Sequence, residues 1–213
     1  MDTYKRMLAA VLAAALLPPA SGIQGADFLA PAEADAGSRA AVRADPVATL
    51  DTVDSIIARW PEKSRVLALI TIATYGEPDE FGQDALVWRE NRPWKRTVVH
   101  RQAPRGRSCL SEDDLLQQAV DYRVPLDKFG ELARFDARVE ANRARNELSV
   151  CSASEQLNFL AANLADEVIS GERDSEQARI FQRQTVTLME AGKTSPYLMS
   201  LRFSPAGSKP GTR

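Results

Sequence analysis

The chain has 213 residues, with 27 Lys and Arg against 29 Asp and Glu, which gives a formal net charge of −2. A balance of this kind provides no electrostatic basis for binding nucleic acid or an anionic membrane surface. After residue 17 no stretch approaches the roughly 18 uninterrupted apolar residues of a membrane span, so no membrane anchor is predicted once the N-terminus is removed.

The N-terminus has the layout of a secretory signal peptide. Lys5 and Arg6 precede an apolar core over residues 7–17, and small residues follow at Ala20 and Gly22. At about 1.5 Å per residue, this core covers only about half of a hydrocarbon layer, so it engages a translocation channel without remaining as an anchor. We therefore predict cleavage after Gly22, with Ala26 as the alternative, and a periplasmic or secreted mature protein.

Composition divides the chain into four predicted segments. The signal peptide covers residues 1–22, and a flexible leader rich in Ala and Gly covers residues 23–44. One domain is predicted over residues 45–204, since about 160 residues suffice for a sizeable core. The tail over residues 205–213 is rich in Gly, Pro and Ser and is predicted to be disordered.

Apolar periodicity predicts the elements of the domain. Helical spacing predicts helices over residues 45–60, 62–75, 125–133, 153–170 and 175–190, and a Ser-Glu-Asp-Asp cap predicts another over residues 111–121. Alternation predicts a hairpin over residues 86–101 and a half-buried strand over residues 197–203. Residues 135–151 are assigned to a second hairpin, although their charge density also suits a helix. The predicted fold class is α+β, with helical pairs packed on an antiparallel sheet built from hairpins.

Two cysteines, Cys109 and Cys151, occur in the chain. An even count in an exported protein favours a disulfide. The closed loop of about 43 residues would stabilise the fold by about 4 kcal/mol in the chain-entropy model. The alternative is a pair of buried thiols.

Several short motifs stand out along the chain: residues 73–80 (ATYGEPDE), Trp88, residues 93–96 (PWKR), residues 121–125 (DYRVP) and residues 158–165 (NFLAANLA). Together they resemble a family of uncharacterised exported bacterial proteins. The similarity would cover most of residues 60–190. It implies export and a single domain, and it implies no particular activity.

Three residues are candidates for catalysis. His100 is the only histidine and a candidate base, but no serine has a Gly-x-Ser-x-Gly context, so a packed side chain is the alternative. Glu77 and Asp79 are a candidate acid and base for glycoside hydrolysis, with a solvated turn as the alternative. One histidine and two separated cysteines lack the usual zinc spacing, so we predict no metal and no cofactor.

The aromatic and basic residues Trp88, Trp94 and Arg96 are candidates for a ligand or partner surface. Trp88 is in step with Leu86 and Trp94 with Val98, so packing in the core is the alternative. Asn163 lies beside an apolar helical stripe and is predicted to hydrogen-bond a neighbouring loop or to line a pocket.

No convergent set of acid, base and nucleophile can be named in the sequence. The preferred hypothesis is therefore a non-catalytic binding or accessory module of the cell envelope, whose partner is an envelope protein or a small ligand. The alternative is a carboxylate-dependent hydrolase acting on cell-wall or extracellular material. A third hypothesis is a structural protein held in an assembly, which predicts an exposed apolar patch or a free sheet edge such as the strand at residues 197–203.

Overall fold

The structure, a computed structural model, describes residues 51–105 and 109–205. The predicted signal peptide and leader, the helix start at Asp45-Pro46 and the tail from residue 206 lie outside the described residues. None of the helices within the described part is long and apolar enough to span a membrane.

A single antiparallel sheet of six strands organises the described residues. Its spatial order is β1-β2-β3-β4-β6-β5. The strands are β1 (Glu80–Phe81), β2 (Ala85–Arg89), β3 (Arg96–His100), β4 (Leu116–Asp121), β5 (Val139–Asn142) and β6 (Glu147–Ser152). Both predicted hairpins are confirmed, because β2 pairs with β3 and β5 pairs with β6.

Five α-helices accompany the sheet within the described residues. They are α1 (Val53–Ile57), α2 (Glu62–Tyr75), α3 (Phe129–Phe135), α4 (Glu155–Ser170) and α5 (Ser175–Glu190). Ser154 caps α4 and Asp174 caps α5 through their side chains, and Gly171 ends α4 in the left-handed region. The α+β class is therefore confirmed.

The helices pack on one face of the sheet. This face, the helical face, presents side chains that include Trp88, Val99, Val120 and Val150. The side chains of α4 join Val120 and Val150 in the larger core cluster, while α1 and α2 join Trp88 and Val99 in the smaller one. The opposite face, which includes Arg96, Ala119, Glu147 and Cys151, is called the open face below.

The predicted helix over residues 45–60 is wrong at its start within the described part. Residues 51 and 52 are not helical, and α1 begins at Val53 after a capping box formed by Thr52 and Ser55. This local pair satisfies the first free backbone amides, so the helix starts there.

The predicted helix over residues 111–121 is also wrong, because its second half is the central strand β4. The Asp114 carboxylate accepts hydrogen bonds from the backbone amides of Leu110 and Ser111, at 3.0 and 2.8 Å, and so closes a turn. Leu116 and Val120 then alternate onto the helical face, and β4 pairs with β3 on one side and β6 on the other. Pairing along both edges outweighs the local capping signal.

The predicted strand over residues 197–203 is absent from the described sheet. A 3-10 helix forms at Pro196–Leu198, and the chain then runs along α4 without strand pairing. The alternating apolar residues do not form one buried face, because Met199 is 63% exposed while the neighbouring Leu198 enters the core. The hypothesis of a free sheet edge at these residues is therefore wrong.

The helical spacing of Val66, Leu69, Ile70 and Ala73 predicts that they form the buried face of α2, but the structure buries a different face. Leu69 and Ile70 are 49% and 56% exposed, whereas Ala68 is fully buried. Apolar residues occur around the whole circumference of this helix, so periodicity alone does not decide which side faces the sheet.

Candidate functional site

Trp88 and Trp94 are core residues rather than surface residues. They are 2% and 1% exposed. The indole N–H of Trp88 donates to the Gly76 carbonyl oxygen at 2.8 Å, and that of Trp94 donates to Glu155 Oε1 at 2.6 Å. Burial with the polar atom satisfied agrees with the packing alternative for both side chains. Of the predicted surface triplet, Arg96 alone lies on the open face.

Arg96 belongs to a cluster of four charged side chains on the open face. Lys95 Nζ lies 2.7 Å from Asp121 Oδ1 and 3.3 Å from Glu147 Oε1, and Arg96 Nη2 lies 3.3 Å from Glu147 Oε2. Asp121 and Glu147 stand directly opposite each other on β4 and β6. Two like charges at that position repel, and Lys95 offsets the repulsion by contacting both. The hydrogen bond to Asp121 raises the pKa of Lys95 above its ordinary value.

The sheet register explains how Arg96 reaches a carboxylate two strands away. Arg96 on β3 pairs with Ala119 on β4, and Ala119 pairs with Ser149 on β6. Both intervening side chains are small and buried. They leave room above the sheet for a guanidinium to extend to Glu147, which is itself only 4% exposed.

Two shallow cavities have Glu147 as a common wall. One, of about 590 Å³, lies on the open face and is lined by the arginines Arg89, Arg96 and Arg145 together with Val87 and Val98. The other, of about 580 Å³, is lined by Arg123 and Arg143 together with apolar residues that include Val124 and Leu126. The two cavities together are lined by five arginines, of which Arg96 contacts Glu147 directly. We call Arg89, Arg96, Arg123, Arg143 and Arg145 the arginine surface.

The turn between β5 and β6 projects part of the arginine surface. The Asn142 side chain accepts a hydrogen bond from the Arg145 backbone amide at 3.1 Å. Asn146 adopts a positive φ of 49°, which asparagine tolerates better than most residues. Arg143 and Arg145 are exposed on this short turn. The hairpin pattern predicts this turn, but it does not indicate that Arg143 and Arg145 line these cavities.

Of the three catalytic candidates, His100 lies apart from the loop that carries Glu77 and Asp79. Asp79 Oδ2 accepts a hydrogen bond from the Arg89 backbone amide at 2.6 Å, and Glu77 is exposed. His100 lies at the other end of the β2–β3 hairpin, opposite Ala85. Four residues of strand separate the two ends by roughly 13 Å. The structure therefore does not bring Asp79 and His100 together.

His100 is enclosed rather than poised for catalysis. Its Nε2 atom is buried and has no hydrogen-bond partner among the described residues. Burial lowers the pKa of the imidazole, and the neighbouring Gln117 opposes this effect. The side chain therefore remains neutral at pH values where a solvated histidine begins to take up a proton.

A disulfide joins Cys109 to Cys151, with their Cα atoms 5.1 Å apart, which confirms the predicted pairing. Cys151 is fully buried on the open face of β6, so the bond attaches the segment before β4 to the end of this face. Among the described residues no group of three or more His, Cys, Asp or Glu side chains is placed to hold a metal ion.

Sequence reasoning missed a polar network between α4 and the sheet. Glu155 Oε1 accepts hydrogen bonds from Trp94 Nε1, from Gln118 Nε2 at 3.0 Å and from the Tyr75 hydroxyl. Burial and the bond to Glu155 raise the pKa of Tyr75 above its ordinary value. The donors come from three separate elements, so no local sequence pattern could have grouped them. All three donate to the same carboxylate oxygen, and this network of hydrogen-bonded buried groups has a structural role.

Asn163 provides a second tether. Its Nδ2 donates to the carbonyl oxygens of Tyr197 and Ser200 at 3.1 and 2.9 Å, and its Oδ1 accepts from the Arg202 amide at 2.7 Å. The prediction that this buried asparagine hydrogen-bonds a neighbouring loop is confirmed.

Comparison with protein-family models, with curated proteins and with solved structures finds no match to this chain. The resemblance to exported bacterial proteins therefore stays a prediction.

Proposed function

We propose that the protein is an exported binding or accessory module of the cell envelope, periplasmic or secreted, and that it binds its partner through the open face of the sheet. The observation that supports this proposal is the pair of cavities around Glu147, which five arginines line. Exposed arginines beside partly buried apolar side chains are typical of protein interaction surfaces.

Export is supported by the disulfide and by the basic and apolar pattern of residues 5–17. Disulfides persist in oxidising compartments and are rare in a reducing cytosol. The signal-like pattern predicts passage to such a compartment, so two independent features favour the same location.

A binding role is favoured over carboxylate hydrolysis by the contacts of the acidic side chains. Glu147 lies in ion pairs with Lys95 and Arg96, and Asp79 is held by the Arg89 amide. Hydrolysis needs one carboxyl group that stays protonated and a second positioned across a substrate. These two carboxylates are instead held by contacts within the protein and do not face each other across a cleft.

The proposal is tested by photo-crosslinking in the native host. A photo-reactive amino acid replaces Gln117, which lines the open-face cavity, and in a control chain it replaces Gln184, which is exposed on α5. We expect one defined envelope partner to be linked from position 117 and not from position 184, and Arg96→Ala to abolish that product. Equal products from both positions, or a product that survives Arg96→Ala, would refute binding through the open face.

Location is tested separately on the same cells. Fractionation is expected to recover the chain outside the cytoplasm, with an intact mass that corresponds to a start near residue 23. A chain recovered in the cytoplasm with its first 22 residues present would refute export.

A further inference from the structure

We infer that the arginine surface recognises an extended acidic segment of a partner protein, one that also carries apolar side chains. This inference rests on the proposed function and specifies the chemistry of the partner. Its basis is the combination of unpaired positive charge, apolar lining and open shape in the two cavities that share Glu147.

The first argument is the charge that remains after the internal ion pairs are counted. Lys95 is shared by Asp121 and Glu147, Arg96 pairs with Glu147, and Arg89 pairs with Glu80. The remaining arginines of the surface, Arg123, Arg143 and Arg145, have no carboxylate partner within residues 51–105 and 109–205. All three are exposed. A local excess of positive charge in a chain of net charge −2 attracts anions to this place specifically.

The second argument is the identity of the cations. Every side chain of the arginine surface is a guanidinium, whose planar set of donors matches a carboxylate through two parallel hydrogen bonds. Carboxylates along an extended chain would reach guanidinium groups on both sides of Glu147. An acidic polypeptide provides such a spacing of carboxylates.

The third argument concerns shape and apolar lining. Small-molecule sites enclose most of their ligand, whereas the cavity beside Arg96 is open to solvent, which suits a chain lying across the surface. Val87 and Val98 line one cavity, and Val124 and Leu126 line the other. Leu126 is 63% exposed. Val98 and Val124 are largely buried already, so the apolar surface that a partner would cover consists of Leu126 and the partly exposed Val87. A uniformly charged polymer would leave that surface exposed to water, whereas a peptide that carries leucine or valine between acidic residues would bury it.

Glu147 has a defined part in this arrangement, because it competes with the partner for Lys95 and Arg96. Replacing it with Gln removes one negative charge, frees Arg96 and leaves Lys95 paired with Asp121 alone, while the side-chain size is kept. The variant Glu147→Gln is therefore expected to bind an acidic peptide more tightly. A variant that had merely lost its fold would bind less tightly, so the direction of the change separates the two causes.

The experiment measures binding of fluorescent peptides to the mature, disulfide-bonded chain. The main probe is an unstructured peptide that contains Glu and Leu. One matched probe has Ser in place of Leu, a second has Gln in place of Glu, and inorganic polyphosphate serves as a non-peptide anion. We expect the peptide with Glu and Leu to bind best and its affinity to fall as the salt concentration rises.

The variants use exposed positions that are not needed for folding. Arg145→Ala, and separately Arg143→Ala, are expected to weaken binding of the main probe about threefold to tenfold, the range for partly solvated charge pairs. Arg145→Lys is expected to restore part of the affinity but not all of it, because lysine lacks the planar fork. Arg183→Ala, an exposed arginine on α5 and remote from the open face, is the matched control and should leave binding unchanged.

Three results would overturn the inference. They are equal binding of the Glu-Leu and Gln-Leu peptides, unchanged binding in both Arg143→Ala and Arg145→Ala, and stronger binding of polyphosphate than of any peptide. None of these outcomes would contradict the proposed function, because crosslinking from position 117 would still identify a neutral or non-protein partner. Conversely, loss of that crosslink would refute the proposed function whatever the peptides do.

Discussion

The tether at Asn163 permits a quantitative prediction for Asn163→Ala. The asparagine side chain makes three hydrogen bonds with backbone groups of residues 197–202, and it is 1% exposed. Each bond contributes about 0.5 to 1.5 kcal/mol net, so removing all three is expected to lower the free energy of unfolding by about 3 kcal/mol. For a protein of this size such a loss lowers the melting temperature by roughly 6 to 12 °C.

The measurement is urea denaturation of the mature chain, together with amide hydrogen exchange. We expect the Arg202 amide, which donates to Asn163 Oδ1, to exchange faster in the variant even where the rest of the fold is intact. Asn163→Asp provides a test at constant size. It keeps an acceptor for Arg202, but it directs a carboxylate at the Tyr197 and Ser200 carbonyl oxygens, so it should destabilise at least as much.

The matched control is Gln184→Ala, a substitution at an exposed position of α5, which should change stability by less than about 0.5 kcal/mol. A loss below about 1 kcal/mol for Asn163→Ala, with unchanged exchange at Arg202, would refute the tether as a stabilising element. A loss for Asn163→Ala that Asn163→Asp fully recovers would show that packing, not hydrogen bonding, is what matters at this position.

The remaining predictions concern the disulfide, the histidine and α2. Replacing Cys109 and Cys151 with Ser should lower the free energy of unfolding by about 4 kcal/mol in the chain-entropy model. Reduction of the native chain should raise its intact mass by two hydrogens, and an unchanged mass would exclude the bond. Because His100 is the only histidine, its NMR titration is unambiguous, and its pKa should lie below the usual 6.5. Because the unfolded chain binds this proton more readily, the stabilisation that comes from a neutral His100 is fully present above pH 6.5 and is lost as the pH falls toward the pKa of the folded state. A measured pKa at or above 6.5 would contradict the burial of this side chain. On α2, Leu69→Lys should change stability by less than about 1 kcal/mol, whereas Ala68→Leu should cost about 1 to 3 kcal/mol through overpacking, and the reverse order would mean that the helix is rotated.

Local signals in the sequence sufficed to predict an element wherever a capping or turn residue determines where that element begins or ends. Ser154 and Gly171 bound α4, Asp174 starts α5, and the turn before Asn146 separates β5 from β6. Each of these depends on hydrogen bonds within a few residues, so the pattern and its cause are both visible in the chain. The cysteine pairing was predictable for another reason, since two cysteines allow only one intramolecular bond.

The candidate site was predictable only in part. Arg96 was named from its place on an alternating strand, and it does lie on the open face. Trp88 and Trp94 were grouped with it because of their type, but alternation cannot say which face of a strand meets the helices. Burial against α2 and α4 removed both tryptophans from the surface. Glu147 and Arg145, which complete the site, join Arg96 only through the pairing of β3, β4 and β6.

The sequence by itself determined the class of the fold, the limits of the long helices, the two hairpins and the disulfide partners, because short-range hydrogen bonding and binary patterning decide these features. Tertiary structure alone decided the rest. Residues 116–121 form a central strand although a helix-capping signal precedes them. Residues 197–203, whose apolar residues alternate as in a strand, form a segment that Asn163 tethers. The buried face of α2 was likewise decided by its packing. In each case the local preference is worth about 1 kcal/mol or less, whereas pairing with two neighbouring strands or burial of a whole apolar face is worth several times more.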